Sequence, residues 1–180
     1  MGAVLITGVS GSGKSTLARV LAARGARAVD ADEDPSLTWW VDADGNPAAT
    51  FGTDTEWLLS HRWLWNAARM DALIAAAGPE TLFVCGNASN DLDLWDRFDQ
   101  AILLVVDERT MLERLDDPRR DNDYGTMPDE RALLCQWLPG FHEERLARGA
   151  VPVDATLPLA EVAAAVLAAV RPLSGVRSYE

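Results

Sequence analysis

The stretch Gly8-Val9-Ser10-Gly11-Ser12-Gly13-Lys14-Ser15 decides how the rest of the chain is interpreted. It follows an apolar run over residues 3–7 that is typical of a buried strand. It precedes residues 15–24, whose apolar face is typical of a helix. The spacing G-x-x-x-x-G-K-S between a strand and a helix is specific for a loop whose backbone amides surround phosphate groups. The sequence therefore predicts a P-loop that binds a nucleoside triphosphate.

The loop also assigns chemical roles. We expect Lys14 to contact the outer phosphates as a catalytic residue, and the Ser15 hydroxyl to hold Mg²⁺. ATP and Mg²⁺ are therefore the expected cofactors. The glycines let the backbone approach the phosphate oxygens, and the helix N-terminus adds positive potential. The expected nucleotide contacts in the loop are Gly8, Ser10, Gly11, Ser12, Gly13, Lys14, Ser15 and Thr16.

The remaining chain alternates short apolar runs with helical stretches. Strands are predicted at residues 3–7, 27–30, 81–85, 101–106 and 151–153. Helices are predicted at residues 15–24, 54–77, 91–98, 109–115, 129–148 with a break at Pro139-Gly140, and 159–170, while 31–53 is predicted to be irregular. Such alternation predicts an α/β three-layer sandwich around a five-stranded parallel sheet, the P-loop NTPase fold. Ligands bind such sheets at the carboxyl ends of the strands.

The composition narrows the possible partners. The chain has 180 residues, enough for one domain with a full core, and a net charge of -12. That charge repels nucleic acid and anionic lipid, so neither nucleic acid nor a membrane is expected as a partner. The two cysteines favour a reducing compartment over a disulfide scaffold. We expect a single cytoplasmic domain over residues 1–180, as a monomer or a homodimer.

Two aspartates follow the second predicted strand. Asp30 and Asp32 are alternate residues, so in extended chain both can face the phosphate site. Phosphoryl transfer to an alcohol needs one carboxylate near the metal and another near the acceptor hydroxyl. The third strand ends without an acid, which favours Asp30 or Asp32 as the metal support, with Asp107 after the fourth strand as a substitute. The alternative is that this acidic run is a solvated turn.

The motif GVSGSGKST, the Asp30-Ala31-Asp32 pair and the chain length together resemble the shikimate and gluconate kinase branch of the nucleoside-monophosphate-kinase-like P-loop kinases. The resemblance implies that Asp30 lies near Mg²⁺ and that Asp32 orients or deprotonates the acceptor hydroxyl. It also implies a small lid over residues 116–128 and an acceptor-binding helical segment over 35–77. One departure is Cys85-Gly86-Asn87, where shikimate kinases carry three glycines.

The lid carries arginines that the resemblance assigns to the nucleotide. Arg119 and Arg120 are expected to stabilise the transferred phosphoryl group, because a guanidinium meets phosphate at two points. Arg114 is expected to stack on the base, and Asp154 and Thr156 to lie beside it. The alternatives are a solvated loop whose arginines pair with neighbouring aspartates, and a plain turn at residues 154–156.

Five of the seven tryptophans lie between the second and third predicted strands. Trp57, His61, Trp65 and Arg69 recur every four residues and would share one face of a helix. We expect His61, Arg62 and Asn87 to bind the acceptor together with Asp32. The alternative is that the tryptophans pack the core, that His61 is structural and that Asn87 only makes a turn.

These features predict an ATP-dependent phosphotransferase that moves the γ-phosphate to a hydroxyl of a small polar metabolite. A nucleoside or nucleoside monophosphate kinase is an alternative, because a tryptophan could stack on a base. A nucleotide-binding regulatory ATPase is a rival from another class. It would be expected to carry a strand-end aspartate with a water-positioning residue, which is not evident in the sequence.

Overall fold

The computed structural model describes residues 2–120 and 122–170. Its elements in chain order are β1 (Ala3–Thr7), α1 (Lys14–Ala23), β2 (Arg27–Asp30), β3 (Thr38–Val41), α2 (Thr55–Ser60), β4 (Arg62–Trp65), α3 (Ala67–Ala76), β5 (Leu82–Cys85), β6 (Gln100–Val105), α4 (Glu108–Leu115), α5 (Pro128–Ala147), β7 (Val151–Asp154) and α6 (Leu159–Ala169). Short 3₁₀ turns cover Ala31–Glu33 and Trp95–Arg97.

Five parallel strands form the main sheet, in the order β2-β5-β1-β6-β7. β1 is the middle strand and is buried along its whole length. Its register places Leu5 beside Val84 of β5 and Ala101 of β6. The α/β architecture with a five-stranded parallel sheet is therefore confirmed. Because β1 ends at the centre of the sheet, the loop that follows it opens where the other strands also end.

The core occupies both faces of this sheet. Successive residues of a strand point to opposite faces. Ile6 and Leu104 pack with α1, α4 and α6 on one side, while Leu5 and Leu103 pack on the other side with Trp65 and other apolar residues. Both clusters are almost fully buried. The two clusters make the three-layer sandwich that alternating strands and helices predict.

The segment between β2 and β5 differs from its prediction. Residues 31–53 are not wholly irregular, and residues 54–77 are not one helix. β3 and β4 pair antiparallel, with Trp40 opposite Trp63, as a separate two-stranded sheet. The run Arg-Trp-Leu-Trp favours a strand because aromatic side chains pack well on a pleated surface. Asn66 then accepts a hydrogen bond from the Arg69 backbone and starts a new helix.

Two further helix predictions are wrong. α5 runs without a break through Pro139, which is exposed, so water can satisfy the carbonyl that the missing N–H leaves unpaired. Residues 91–98 form turns with a single 3₁₀ turn rather than a helix. None of the described helices has both the length and the apolar character needed to cross a membrane.

α5 connects distant parts of the chain. Near its start, Asp129 accepts hydrogen bonds from the backbone and the hydroxyl of Thr55 at the start of α2. Near its end, Arg145 donates to both carboxylate oxygens of Asp91 at 2.8 Å, in the loop after β5. The guanidinium also lies 3.4 Å above the Phe141 ring. The side chains of Arg145 and Asp91 are 6% and 1% exposed, so this ion pair is buried.

Replacing Asp91 with alanine should strongly destabilise the protein, because it removes the buried two-point partner of Arg145 and leaves the exposed carboxylate of Glu144, at 3.3 Å, as its acidic partner. We expect the free energy of unfolding to fall by about 3–5 kcal/mol in urea denaturation. The control is Asp71→Ala, which removes the solvent-accessible pair with Arg97 and should cost less than about 1 kcal/mol. Equal losses in the two variants would contradict a structural role for the buried pair.

Candidate nucleotide and acceptor site

The P-loop connects the end of β1 to the start of α1. Gly11 and Gly13 have φ angles of 82° and 94°, which side chains with a Cβ rarely adopt. A Cβ at Gly8 would approach the Ser12 hydroxyl to 2.6 Å, and one at Gly11 would approach the Met111 carbonyl oxygen to 2.9 Å. The glycines therefore allow a tight turn that presents the backbone to the space in front of the sheet.

Lys14 is buried at the base of this loop. Its ammonium donates hydrogen bonds to the carbonyl oxygens of Gly8 at 2.7 Å and Val9 at 3.1 Å. Burial lowers the pKa of Lys14, and the nearby carboxylates of Asp32 and Asp30 oppose that change. The side chain is thus a cation held between the loop and two acids.

Asp30 and Asp32 have different surroundings. One oxygen of Asp30 accepts from the Asp32 backbone at 3.0 Å, and the other is buried with no hydrogen-bond partner among the described residues. Burial raises the pKa of Asp32 to about 6, with Asp30 adding to the rise and Lys14 opposing it. The Asp32 carboxylate also accepts from the Trp63 indole at 3.4 Å and from the Asn87 backbone. Asp32 therefore faces the groove described below, whereas Asp30 lies behind it.

Two residues after β5 build the site: Gly86, which sequence reasoning did not assign, and Asn90, whose place after the third predicted strand suggested either a hydrogen bond to the acceptor or a turn. A Cβ at Gly86 would lie 3.0 Å from Ala31 and from Trp65, and 3.2 Å from the Asp32 carboxylate. This single glycine lets the end of β5 approach Asp32. The Asn90 side chain bonds both the N–H and the carbonyl of Trp65, at 2.9 and 3.0 Å, which fixes β4 to the loop after β5. In the sequence, this role of Gly86 was indicated by the departure from the three glycines that shikimate kinases carry at this place.

The lid arginines are not equivalent. Arg120 donates to the Ser10 hydroxyl at 3.3 Å and to the Tyr124 carbonyl at 3.0 Å, so it contacts the P-loop. Arg119 is paired with Asp117, and its side chain is 87% exposed. Arg114 donates to the carbonyls of Ser12 at 3.2 Å and Ala155 at 2.6 Å, joining the P-loop to the loop after β7. Residue 121 of the lid lies outside the described residues.

Three other expected positions are occupied by local turns. Asp154 accepts from the Thr156 backbone at 2.9 Å and from its hydroxyl at 2.6 Å, and neither residue lines the groove. Asp107 accepts from the Thr110 backbone at 2.7 Å and caps α4. The acids that act on the pKa of Lys14 are Asp32, Asp30 and Asp91, and Asp107 is not among them.

Five aromatic side chains form what we call the aromatic cluster: Trp40, Phe51, Trp57, Trp63 and Tyr124. Trp40 is its centre, with ring centroids 4.9 Å from Trp57, 5.5 Å from Trp63, 6.0 Å from Phe51 and 6.4 Å from Tyr124. Phe51 and Tyr124 belong to it although sequence reasoning did not single them out. In the sequence, only the aromatic character of these two loop residues indicated that they could join the cluster.

The prediction that residues of the acceptor segment at a spacing of four share one face of a helix is wrong, because Arg62 and Trp65 lie on strand β4. His61 instead stacks on Trp57, with centroids 4.1 Å apart, and its Nδ1 is 2.9 Å from the Trp57 carbonyl oxygen. Arg62 is exposed and, as the neighbour of Trp63 in a strand, points to the opposite face of the small sheet. The structure therefore brings His61 but not Arg62 to the groove.

A wide groove of about 1850 Å³ joins the P-loop to the aromatic cluster. Gly8, Asp30 and Arg62 are not among its lining residues. Those that line it from the predicted site are Ser10, Gly11, Ser12, Gly13, Lys14, Ser15, Thr16, Asp32, His61, Asn87, Arg114, Arg119 and Arg120. The strand-end rule thus gathers the P-loop, Asp32 and Asn87 at one edge of the sheet.

The side chains of the site can be compared with the ligands that a metal ion requires. Across residues 2–120 and 122–170, no three His, Cys, Asp or Glu side chains cluster closely enough to hold a metal ion. Mg²⁺ in nucleotide sites commonly takes only one or two protein ligands, with phosphate oxygens and water completing its shell. Ser15 in the groove fits that arrangement as a ligand, and the unpartnered oxygen of Asp30, which does not line the groove, adds negative charge close to Lys14.

A glycine-turned loop between β1 and α1, with a buried lysine facing two strand-end aspartates, defines a P-loop nucleotide-binding protein. The chain belongs to the AAA domain family, whose model matches residues 4–132. No curated protein matches the chain.

Solved structures share the fold at low identity. Shikimate kinase from Acinetobacter baumannii, in complex with shikimate, aligns with a TM-score of 0.56 at 15% identity, over 93% of this chain and 91% of that one. Deoxyadenosine kinase from M. mycoides with bound dATP gives 0.54 at 14%, over 93% and 98%. A gluconokinase from Sinorhizobium meliloti 1021 gives 0.53 at 23%, over 93% and 90%. The resemblance to this group of kinases is confirmed for the fold.

The raised pKa of Asp32 makes a prediction about stability. An unfolded aspartate titrates near 3.8, whereas folding raises this pKa to about 6, so the folded protein binds more protons between these values. The wild type should therefore lose stability relative to Asp32→Asn as the pH rises from about 4 to above 6, by about 3 kcal/mol in total. Urea denaturation of both proteins across this range measures the difference. Parallel pH profiles would contradict the assigned surroundings of Asp32.

Proposed function

We propose that this chain is an ATP-dependent kinase that moves the γ-phosphate to a hydroxyl of a small polar metabolite in the cytoplasm. One observation carries the proposal. The Asp32 carboxylate interacts with Lys14 of the phosphate loop and accepts a hydrogen bond from Trp63 of the aromatic cluster. A carboxylate where the phosphate loop meets the aromatic cluster is placed to activate an acceptor hydroxyl.

In the proposed reaction, Asp32 accepts the proton of the acceptor hydroxyl. The acceptor oxygen forms a bond to the γ-phosphorus, and the bond from that phosphorus to ADP breaks. A pKa of about 6 suits this role, because the carboxylate is ionised at neutral pH and remains a better base than an ordinary aspartate. The Asn87 backbone and the Trp63 indole hold the carboxylate in place.

The phosphate end of the groove carries groups that bind negatively charged phosphate. The backbone amides of the P-loop and the start of α1 bind phosphate oxygens, and Lys14 moves from its own loop carbonyls to the transferred group. Arg120, already against Ser10, supplies a second cation from the lid. Ser15, with Asp30 nearby, would hold Mg²⁺, and the ion would supply positive charge against the charge that develops on the phosphates.

The fold supports the reaction class without choosing the acceptor. Kinases named for deoxyadenosine, gluconate and shikimate share it, and those three acceptors have little in common beyond a hydroxyl group. The acceptor must therefore be inferred from the residues of this chain's own groove.

Replacing Lys14 with alanine should abolish phosphoryl transfer. Losing one charge-assisted contact to the transferred group costs roughly a hundredfold to a thousandfold in turnover. ATP consumption against a panel of alcohols measures the loss, and circular dichroism checks the fold. Arg24→Ala is the control, because it removes an exposed positive charge at the other end of the same helix. Full turnover in Lys14→Ala would exclude the proposed mechanism.

Asp32→Asn separates a kinase from a regulatory ATPase. The variant should keep nearly normal nucleotide affinity and lose transfer by about a hundredfold to ten-thousandfold, because it removes the base but not the phosphate contacts. Glu33→Gln changes the adjacent exposed carboxylate and should transfer normally. Nucleotide binding by calorimetry and transfer by product analysis are measured for both. If Asp32→Asn transfers at the wild-type rate, Asp32 is not the acceptor base.

A further inference from the structure

The faces of the small sheet are strongly unlike each other. Trp40 and Trp63 are directly paired across β3 and β4, so their side chains share one face. Their sequence neighbours Trp39 and Arg62 point to the other face. Only the Trp40 and Trp63 side lines the groove, together with Phe51 and Tyr124. The chemistry that meets a ligand is therefore set by this aromatic face.

This aromatic face is incompletely covered. Trp40 and Trp63 are only partly buried, and Phe51 is 58% exposed, although each packs against another ring of the cluster. Aromatic surface left in contact with water is stabilised when a flat apolar group covers it. The carboxylate of Asp32 lies at the edge of this surface, bonded to the Trp63 indole. A bound alcohol could thus stack its planar part on the rings while its hydroxyl reaches Asp32.

The positive charges of the groove lie elsewhere. Arg114 and Arg120 are bonded to the P-loop, and Lys14 lies inside it. Arg19 pairs with Glu33, and Arg145 pairs with Asp91. In contrast, no arginine or lysine among the lining residues belongs to β3, to β4 or to the loop that carries Phe51, and the basic group at the aromatic cluster is the His61 imidazole stacked on Trp57.

An acceptor that carries its own negative charge would therefore bind weakly at the aromatic cluster. Binding a carboxylate or a phosphate generally requires an arginine or a lysine placed to pair with it. Asp32 would also repel such a group at short range. Arg69, the other arginine of the segment, bonds Ser36 and does not line the groove.

Accepting the proposed phosphoryl transfer, we infer that the acceptor is an alcohol with a planar aromatic ring and without a carboxylate or phosphate, the class that includes nucleosides and aryl alcohols. Its ring stacks on Trp40 and Trp63, and its hydroxyl points at Asp32. Sugar acids and nucleoside monophosphates lie outside this class.

The first test compares matched acceptors. Benzyl alcohol is compared with 4-(hydroxymethyl)benzoate, which adds a carboxylate, and with cyclohexylmethanol, which removes the planar ring. Adenosine, shikimate and gluconate complete the set. Phosphorylated product is measured by ³¹P NMR, and binding by quenching of tryptophan fluorescence. The planar uncharged alcohols should be favoured in kcat/KM by about tenfold or more over their matched analogues. Preference for the acids, or indifference to ring and charge, would overturn the inference.

The second test uses two neighbouring tryptophans. Trp40→Leu should raise KM for planar acceptors by about tenfold and leave KM for ATP unchanged. Trp40→Phe keeps a ring and should recover most of the loss. Trp39→Leu, the same change on the opposite face of the same strand, should leave both constants unchanged. Equal effects of Trp39→Leu and Trp40→Leu would contradict stacking in the groove.

The kinase assignment and the proposed ligand class would be contradicted by different results. If no alcohol is phosphorylated by the wild type, the kinase assignment is wrong. Quenching by planar alcohols, without quenching by their charged or non-planar analogues, would then still support the ligand class. If phosphorylation occurs but acids are preferred, the kinase assignment stands and the ligand class is wrong.

Discussion

The electrostatic coupling of Lys14 with Asp32 is the interaction on which the site depends. Burial acts against both charges, lowering the pKa of the lysine and raising that of the aspartate, while each charge partly restores the other. The surrounding structure allows the two charged groups to lie close together. The glycine turns bring Lys14 back against its own loop, and Gly86 gives β5 room to end beside Asp32. A phosphate entering the loop would meet a cation already separated from bulk water.

The parts predicted from sequence were those governed by local rules. The P-loop is specified by residue spacing alone, and apolar runs are sufficient to locate the five parallel strands. Asp32 could be placed because it follows the end of a strand of a parallel sheet, where ligands bind. The resemblance assigned different roles to Asp30 and Asp32, but residue spacing could not predict their different surroundings. It depends on burial and on a hydrogen bond from Trp63, a residue 31 positions away.

The acceptor segment shows why the rest was missed. Spacing of four between Trp57, His61 and Trp65 satisfies a helix, but the intervening Trp63 lies on a strand and pairs with Trp40 of the neighbouring strand. Cross-strand packing of large rings outweighs helical periodicity over so short a stretch. Phe51 and Tyr124 reach the same cluster from loops, where no periodicity indicates a direction. Likewise, the ion pair of Asp91 and Arg145 joins residues that only the complete fold brings together.

The opposite faces of the small sheet also determine how this groove can change in evolution or in engineering. A one-residue slip turns every side chain of a strand to the other face. In β3 such a slip would exchange Trp40 for Trp39, so a single-codon deletion could leave a tryptophan facing the ligand. In β4 the same event would replace Trp63 with Arg62 or Leu64. One indel there would introduce a guanidinium or remove the indole that bonds Asp32, altering ligand charge preference without any change in the phosphate loop.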